Sequence, residues 1–221
     1  MSTDTVELER QDAEAREAVR ALRKRITRAD PDTIALLLTE ARTHYGWQDR
    51  PVSDETLREM YDIAKMGPTS MNQQPMRIVF VKSAEAKAKL EPMLMEANRP
   101  KAMAAPVVAI VGYDTKFYEK LPEIFPPAPK AKAMFEGNEA MIEDHGFRNG
   151  TLQAAYLMIA ARAVGLDVGG MSGFDKAAVD AGFFAGTGIK TNFIINLGYA
   201  DEEKIFRRLP RLPFDEATTT V

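Results

Sequence analysis

The chain has 221 residues, 45% of them hydrophobic, and a formal charge of −3. That suits one core-forming domain and excludes a basic field able to hold nucleic acid or an anionic membrane. The absence of cysteine excludes disulfides, thiolate metal sites and cysteine nucleophiles, and two histidines a hundred positions apart argue against a histidine-rich metal centre.

No apolar run approaches the ~20 residues of a membrane span, and the first thirty residues lack a signal peptide's apolar core, so a cytoplasmic protein is expected. Residues 6–28 predict one charged helix, acidic at its start and basic at its end, in accord with the helix dipole. Its apolar residues Leu8, Ala15, Val19, Leu22 and Ile26 are sparse. The basic stretch Arg20 to Arg28 is short and lacks the interleaved aromatics of a nucleic-acid site. Residues 1–30 therefore read as a charged helical extension lying on a partner subunit, and residues 31–221 as the domain proper.

That domain opens with Ile34, Leu37 and Leu38 as a buried stripe. Ser53 predicts the N-cap of a helix whose Leu57, Met60, Tyr61 and Ala64 face the core, and Gly67-Pro68 stops it. Strands are predicted at 77–82, 106–111 and 192–197, with a short helix at 84–90 between the first two. Four prolines in 121–130 predict a loop, a candidate lid over a pocket. The strongest helical pattern is 147–164, with Leu152, Tyr156, Ile159, Ala160 and Ala163 on one stripe and Gly165 as its stop. A further helix spans 175–185. Strands interspersed with helices give a single domain of the α+β (α/β) class.

The most informative stretch is Pro68-Thr69-Ser70-Met71-Asn72-Gln73-Gln74-Pro75, set between a helix and a strand. Prolines at both ends keep it out of either neighbour. Between them lie two hydroxyls and three carboxamides. A carboxamide offers donor and acceptor from one plane, which suits the alternating edge of a flavin pyrimidine ring. The same groups also suit a capped turn that satisfies its own backbone.

This octet resembles the P-[ST]-[ST]-x-N-x-Q-P segment of the FMN-dependent nitroreductase family. Upstream, Arg42-Thr43-His44-Tyr45 with Pro51-Val52-Ser53 resembles the family's R-S-x-R…P-V-S opening. Downstream, Gly165-Leu166 and Gly169-Gly170-Met171-Ser172-Gly173-Phe174 resemble its central glycine segment. Leu197-Gly198-Tyr199 and Leu209-Pro210-Arg211-Leu212-Pro213-Phe214 resemble its closing motifs. Together these cover residues 34–217 or so. The resemblance is closest to the branch of malonic semialdehyde reductases of pyrimidine degradation, through segments such as Phe147-Arg148-Asn149 and Gln153-Ala154-Ala155-Tyr156-Leu157.

The resemblance implies a three-layer fold with a central mixed sheet flanked by helices, and a homodimer in which each subunit completes its partner's site. It implies bound FMN, with NADH or NADPH as a diffusible reductant giving a hydride to flavin N5 in ping-pong fashion. Arg42 and Arg211 are implied phosphate clamps, with Thr43 in place of the usual serine. The second arginine of R-S-x-R falls on Tyr45, so Arg207 or Arg208 would compensate. Ser70, Asn72 and Gln153 are implied partners of the pyrimidine edge, and Gly169 and Gly170 pass the N5 side of the ring. Arg148 is the candidate clamp for a substrate carboxylate, and Asn149 would reach flavin or substrate.

Three competing motifs fail. Residues 182–191 hint at a phosphate loop, but Ile189 separates glycine from lysine and an apolar strand follows. Residues 170–174 miss the last position of a nucleophile elbow. No G-x-G-x-x-G follows a strand, which argues against a Rossmann-held nicotinamide. The expected activity is reduction of malonic semialdehyde to 3-hydroxypropionate. The alternatives are a broad nitroaromatic or quinone reductase and, from another class, a non-catalytic flavin-binding protein.

Overall fold

The computed structural model describes residues 3–221, with side chains from Val6 onward. Two compact units are present, one ending at Ala41 and one spanning Arg42–Val221. In the first, α1 (Thr3–Arg25) is laced by ion pairs one turn apart. Each such exposed pair contributes only a few tenths of a kcal/mol. The apolar residues of α1 are exposed throughout. Asp30 caps α2 (Pro31–Ile34), accepting from Thr33 N at 2.9 Å.

The stripe expected at Ile34, Leu37 and Leu38 is not buried as a set, since Leu38 is 57% exposed. Ala35–Thr39 form a π turn, closed by Glu40 N donating to Ala35 O at 2.9 Å. Its i→i+5 winding rotates side chains off a 3.6-residue stripe.

The second unit runs α3 (Asp54–Ala64), β1 (Met76–Val81), α4 (Ala84–Leu90), α5 (Arg99–Ala104), β2 (Val107–Asp114), α6 (Leu121–Ile124) and α7 (Glu139–Ala163). It continues with β3 (Asp167–Met171), α8 (Lys176–Phe183), β4 (Ile189–Gly198) and α9 (Phe214–Ala217). The sheet order is β1-β2-β4-β3, and every strand pair is antiparallel. The sheet expected to be mixed is therefore antiparallel among its named strands. Its parallel component is the single bridge between Thr43 and Val168.

β2 is buried on both faces, which explains its unbroken apolar run. Val107, Ala109 and Val111 join one core with Leu57, Met60, Ala154 and Leu157 of α3 and α7. Val108 and Ile110 join a second core with Leu90, Ala102 and Val179 on the opposite face. Each fully buried leucine or isoleucine contributes about 1.5–3 kcal/mol. Two helix layers on one sheet make the three-layer α+β domain. A third cluster of Phe117, Leu121, Ala131 and Phe135 forms a lobe of its own between β2 and α7.

Several local expectations are corrected. Pro122 sits in the first turn of α6, so the proline-rich stretch begins with a helical turn rather than pure loop. Tyr61 is exposed. α7 starts earlier than expected, at an Asn138 cap that accepts from Met141 N at 3.1 Å. It passes through Gly146 and Gly150, where added Cβ atoms would stand 2.9 and 3.0 Å from Tyr113. Its inward face carries Asn149, Gln153, Ala154, Leu157, Ala160 and Ala161, whereas Leu152 and Ala163 are exposed. Small and polar residues face inward because a strand and a polar loop, not only apolar helices, lie against them. Gly165, at φ +81°, ends the helix as expected.

Candidate functional site

The octet carries left-handed backbone at residues other than glycine. Met71, Asn72 and Gln74 have φ of 51°, 52° and 44°, and they are the non-glycine residues of positive φ among those described. Such conformations cost about 1–3 kcal/mol each and persist only where the surroundings over-determine them. Those surroundings come from α7. Asn149, 1% exposed, accepts from Ser70 N through Oδ1 at 2.8 Å. Its Nδ2 donates to Gln73 Oε1 and to His145 O, both at 2.9 Å. Gln153 Oε1 accepts from Met76 N at 2.9 Å and so fixes the loop's exit into β1. The lobe adds a second tether, Asn72 Nδ2 donating to Ile124 O at 2.8 Å. Gln74 Nε2 donates to Asn72 Oδ1 at 2.9 Å. Ser70 and Asn72 remain exposed on the rim of this loop, and a carboxamide with one bond at each end keeps a second proton and a second lone pair.

A separate cluster forms around β3. His44 N donates to Val168 O at 3.0 Å, laying Arg42-Thr43-His44 along that strand. Asp167 accepts from Ala200 N at 2.8 Å, and its other oxygen lies 3.2 Å from His44 Nε2. Burial alone would raise the Asp167 carboxyl, but the bonds from His44 and the Ala200 amide outweigh it and hold the carboxyl below its ordinary value. The half-buried Arg162 guanidinium reaches Arg42 O at 3.5 Å. Gly169 is buried, and a Cβ there would stand 2.5 Å from His44 O. At the exposed Gly170 a Cβ would meet nothing nearer than Met158 Sδ at 3.7 Å. A flat ring could approach the backbone there without hindrance.

The closing motif divides. Tyr199 packs under Arg50, whose guanidinium carbon lies 3.6 Å from the ring centre. Beyond it, residues 205–221 are exposed throughout. Arg211 folds onto its own backbone, donating to Leu209 O at 2.8 Å and Pro210 O at 3.2 Å. Tyr45, standing where the family pattern has arginine, meets Phe206 edge-on at 5.2 Å and so anchors the start of this arm. Arg148 is exposed, with one guanidinium nitrogen 2.6 and 2.7 Å from the two oxygens of Asp144.

The structure thus gathers Arg42, Thr43 and Gly169 around β3, and Ser70, Asn72 and Gln153 around the octet. Arg211 and Arg148 are exposed, bonded to the backbone of Leu209 and Pro210 and to Asp144 respectively. Asn149, expected to reach a ligand, spends its carboxamide inside the protein. Gln73, one of the octet's three carboxamides, turns inward to support the loop, and His145 and Asp167 support the site without a local sequence signal. Among the described residues, no cluster of histidine and acidic side chains could hold a metal ion, and no helix is long and apolar enough to cross a membrane.

The profile of the nitroreductase family matches residues 38–199. A Ralstonia pickettii protein carrying the name "Putative NADH dehydrogenase/NAD(P)H nitroreductase HadB" is 59% identical over 189 residues, covering 85% of this chain and 96% of that protein. Among solved structures, YdfN of Bacillus subtilis superposes with a TM-score of 0.79 at 22% identity, over 87% of this chain and all of that one. A nitroreductase-like protein of Exiguobacterium sibiricum, crystallised in complex with FMN, gives 0.77 at 21% identity over 88% of this chain and all of its own. At those identities the two structures speak for the fold alone.

Proposed function

Because the chain belongs to the nitroreductase family, we propose that it is an FMN-dependent NAD(P)H oxidoreductase, that it works as a homodimer, and that its acceptor is malonic semialdehyde. Residues 31–221 form the flavin domain in this reading, and residues 1–30 a helical extension to it.

The observation that carries the cofactor reading is the loop 68–75. Three strained residues are held there by buried carboxamides, while Ser70 and Asn72 stay at the surface. Strain of that kind belongs where a ligand must meet fixed donors and acceptors. The open backbone at Gly170 fits a planar ring equally well. When bound, FMN supplies a ring that takes a hydride from reduced nicotinamide and passes it to an oxidant.

The protein's part is binding and orientation. Arg42 and Arg211 bind the phosphate, and Thr43 adds a hydroxyl. Ser70 and Asn72 bind the pyrimidine edge, with Gln153 behind them fixing the loop rather than reaching out. Gly169 seats the Arg42 segment against β3, and Gly170 leaves the ring's approach clear. Arg148 orients the acceptor by its carboxylate, exchanging the Asp144 pair for it. That exchange costs little, because an exposed ion pair contributes roughly 0–1 kcal/mol.

The name of the Ralstonia pickettii relative favours a second acceptor class, nitroaromatics. One experiment separates the two. Reoxidation of the anaerobically reduced protein is followed by stopped flow with malonic semialdehyde, propanal and a nitroaromatic, in the parent and in Arg148→Ala. Malonic semialdehyde should outrun propanal in the parent and lose that advantage in the variant. A parent that ignores malonic semialdehyde and rapidly reduces the nitroaromatic would establish the second class. A variant that keeps the preference would remove Arg148 from its role.

A further inference from the structure

Behind the octet lies a row of buried amides whose hydrogen-bond direction has no freedom. A backbone N–H can only donate and a backbone carbonyl can only accept. Asn149 meets one of each: Ser70 N on its oxygen side at 2.8 Å and His145 O on its nitrogen side at 2.9 Å. Turning that carboxamide over would set NH₂ against N–H and oxygen against oxygen. Its Nδ2 therefore faces Gln73, and the Gln73 group 2.9 Å away must be oxygen. Gln73 is 1% exposed, so it cannot exchange this partner for water. Its own Nε2 is then directed at His145 Nδ1, 3.0 Å away. The longer contact of that ring nitrogen with Gln73 Oε1, 3.3 Å, joins two acceptors and is only a neighbour distance. Nδ1 must present a lone pair, and the ring proton sits on Nε2.

The ring is also held from outside. Phe135 of the lobe meets it edge-on, with centroids 5.1 Å apart. Its place is thus set by the lobe on one side and by α7 on the other.

We propose that Gln73 and His145 are positioning residues of the cofactor site. They complete a one-way chain from Ser70 N through Asn149 and Gln73 to the unprotonated Nδ1 of His145, and this chain locks the strained octet in its ligand-ready shape. The proposal rests on the FMN reading of that loop. Take away the terminal acceptor and the buried Gln73 amide loses its reason to keep one orientation. A buried N–H without a partner is unfavourable, so Gln73 turns or moves and Asn149 loses the acceptor opposite its Nδ2. The loop then relaxes toward ordinary dihedrals and carries Ser70 and Asn72 out of register.

Two measurements test this. Long-range ¹H–¹⁵N correlation on the flavin-free protein reads the tautomer directly. With two histidines in the chain, the His145 signals are those missing from His145→Asn. The Nε2–H tautomer is expected, and a ring protonated on Nδ1 would overturn the proposal whatever the protein binds. Flavin fluorescence then gives the FMN dissociation constant of the parent, His145→Leu and His145→Asn. Asparagine can place an oxygen where Nδ1 stands, and leucine cannot. The expected result is at least a tenfold loss for His145→Leu and no more than a threefold loss for His145→Asn. Equal affinities in the two variants would reject the positioning role. A parent that binds no FMN would sink the cofactor reading, while the tautomer would still decide the chain's direction.

Discussion

The carbonyl oxygen of His44 lies 2.5 Å from the point where a side chain at Gly169 would begin. The glycine is therefore required by the Arg42-Thr43-His44 segment that packs on β3. Its neighbour differs, since a Cβ at Gly170 would have only Met158 Sδ at 3.7 Å. Gly169→Ala must move backbone, and overpacking of that kind typically costs about 1–3 kcal/mol. Gly170→Ala should leave thermal stability nearly unchanged and reduce FMN affinity, because the new methyl group enters the space the ring would use. Thermal melts and flavin titrations of both variants check this. Reduced stability in Gly170→Ala with intact flavin binding would reverse the assignment.

Asp167 ties the same segment to the end of the sheet through His44 and the Ala200 amide. Its carboxyl is held below its ordinary value of 3.8 in the folded protein. A depressed folded pKa contributes stability that is complete above the unfolded value and is lost as pH falls through the folded one. Asp167→Asn should therefore lower the melting temperature at neutral pH. It should also flatten the parent's decline below about pH 4, and melts from pH 7 to pH 3 would compare the two. Parallel curves over that range would show that the carboxylate contributes nothing.

The arm after β4 leaves Ile205, Phe206, Leu209, Leu212 and Phe214 exposed, Leu212 by 72%. So much apolar surface on one segment needs a cover. A second copy of the chain supplies it in the proposed homodimer, and obligate interfaces commonly bury more than ~2,000 Å². Sedimentation at micromolar and nanomolar concentration should find the flavin only in the dimer, and a folded, flavin-loaded monomer would count against the dimer. Arg211→Ala, on the same arm, should weaken FMN retention by roughly 1.5–3 kcal/mol, the worth of a charge-assisted contact. Unchanged affinity would mean the arm does not reach the phosphate.

What the sequence disclosed follows from how local each feature is. The Ser53 cap, the Gly165 stop, β1 and the proline-bounded octet are written in a few adjacent residues, and all are legible. β3 is not, because Gly169 and Gly170 carry no strand preference and the ladder to β4 makes the strand. The inward face of α7 also misleads, since its periodicity marks apolar residues while Asn149 and Gln153 turn inward to serve loop backbone. The left-handed dihedrals of Met71 and Gln74 have no sequence signal at all, for neither residue favours them. Their cause lies 70 positions and more away, on another helix. The octet's bounds are thus readable, whereas the apparatus holding it in shape is not.

Every role assigned to Arg42, Ser70, Asn72 and Arg211 depends on bound FMN. Purified protein should be yellow, release FMN on heating, and bleach when NADH or NADPH is added without air. A protein that releases FAD instead, or one that stays colourless after incubation with FMN, would contradict it.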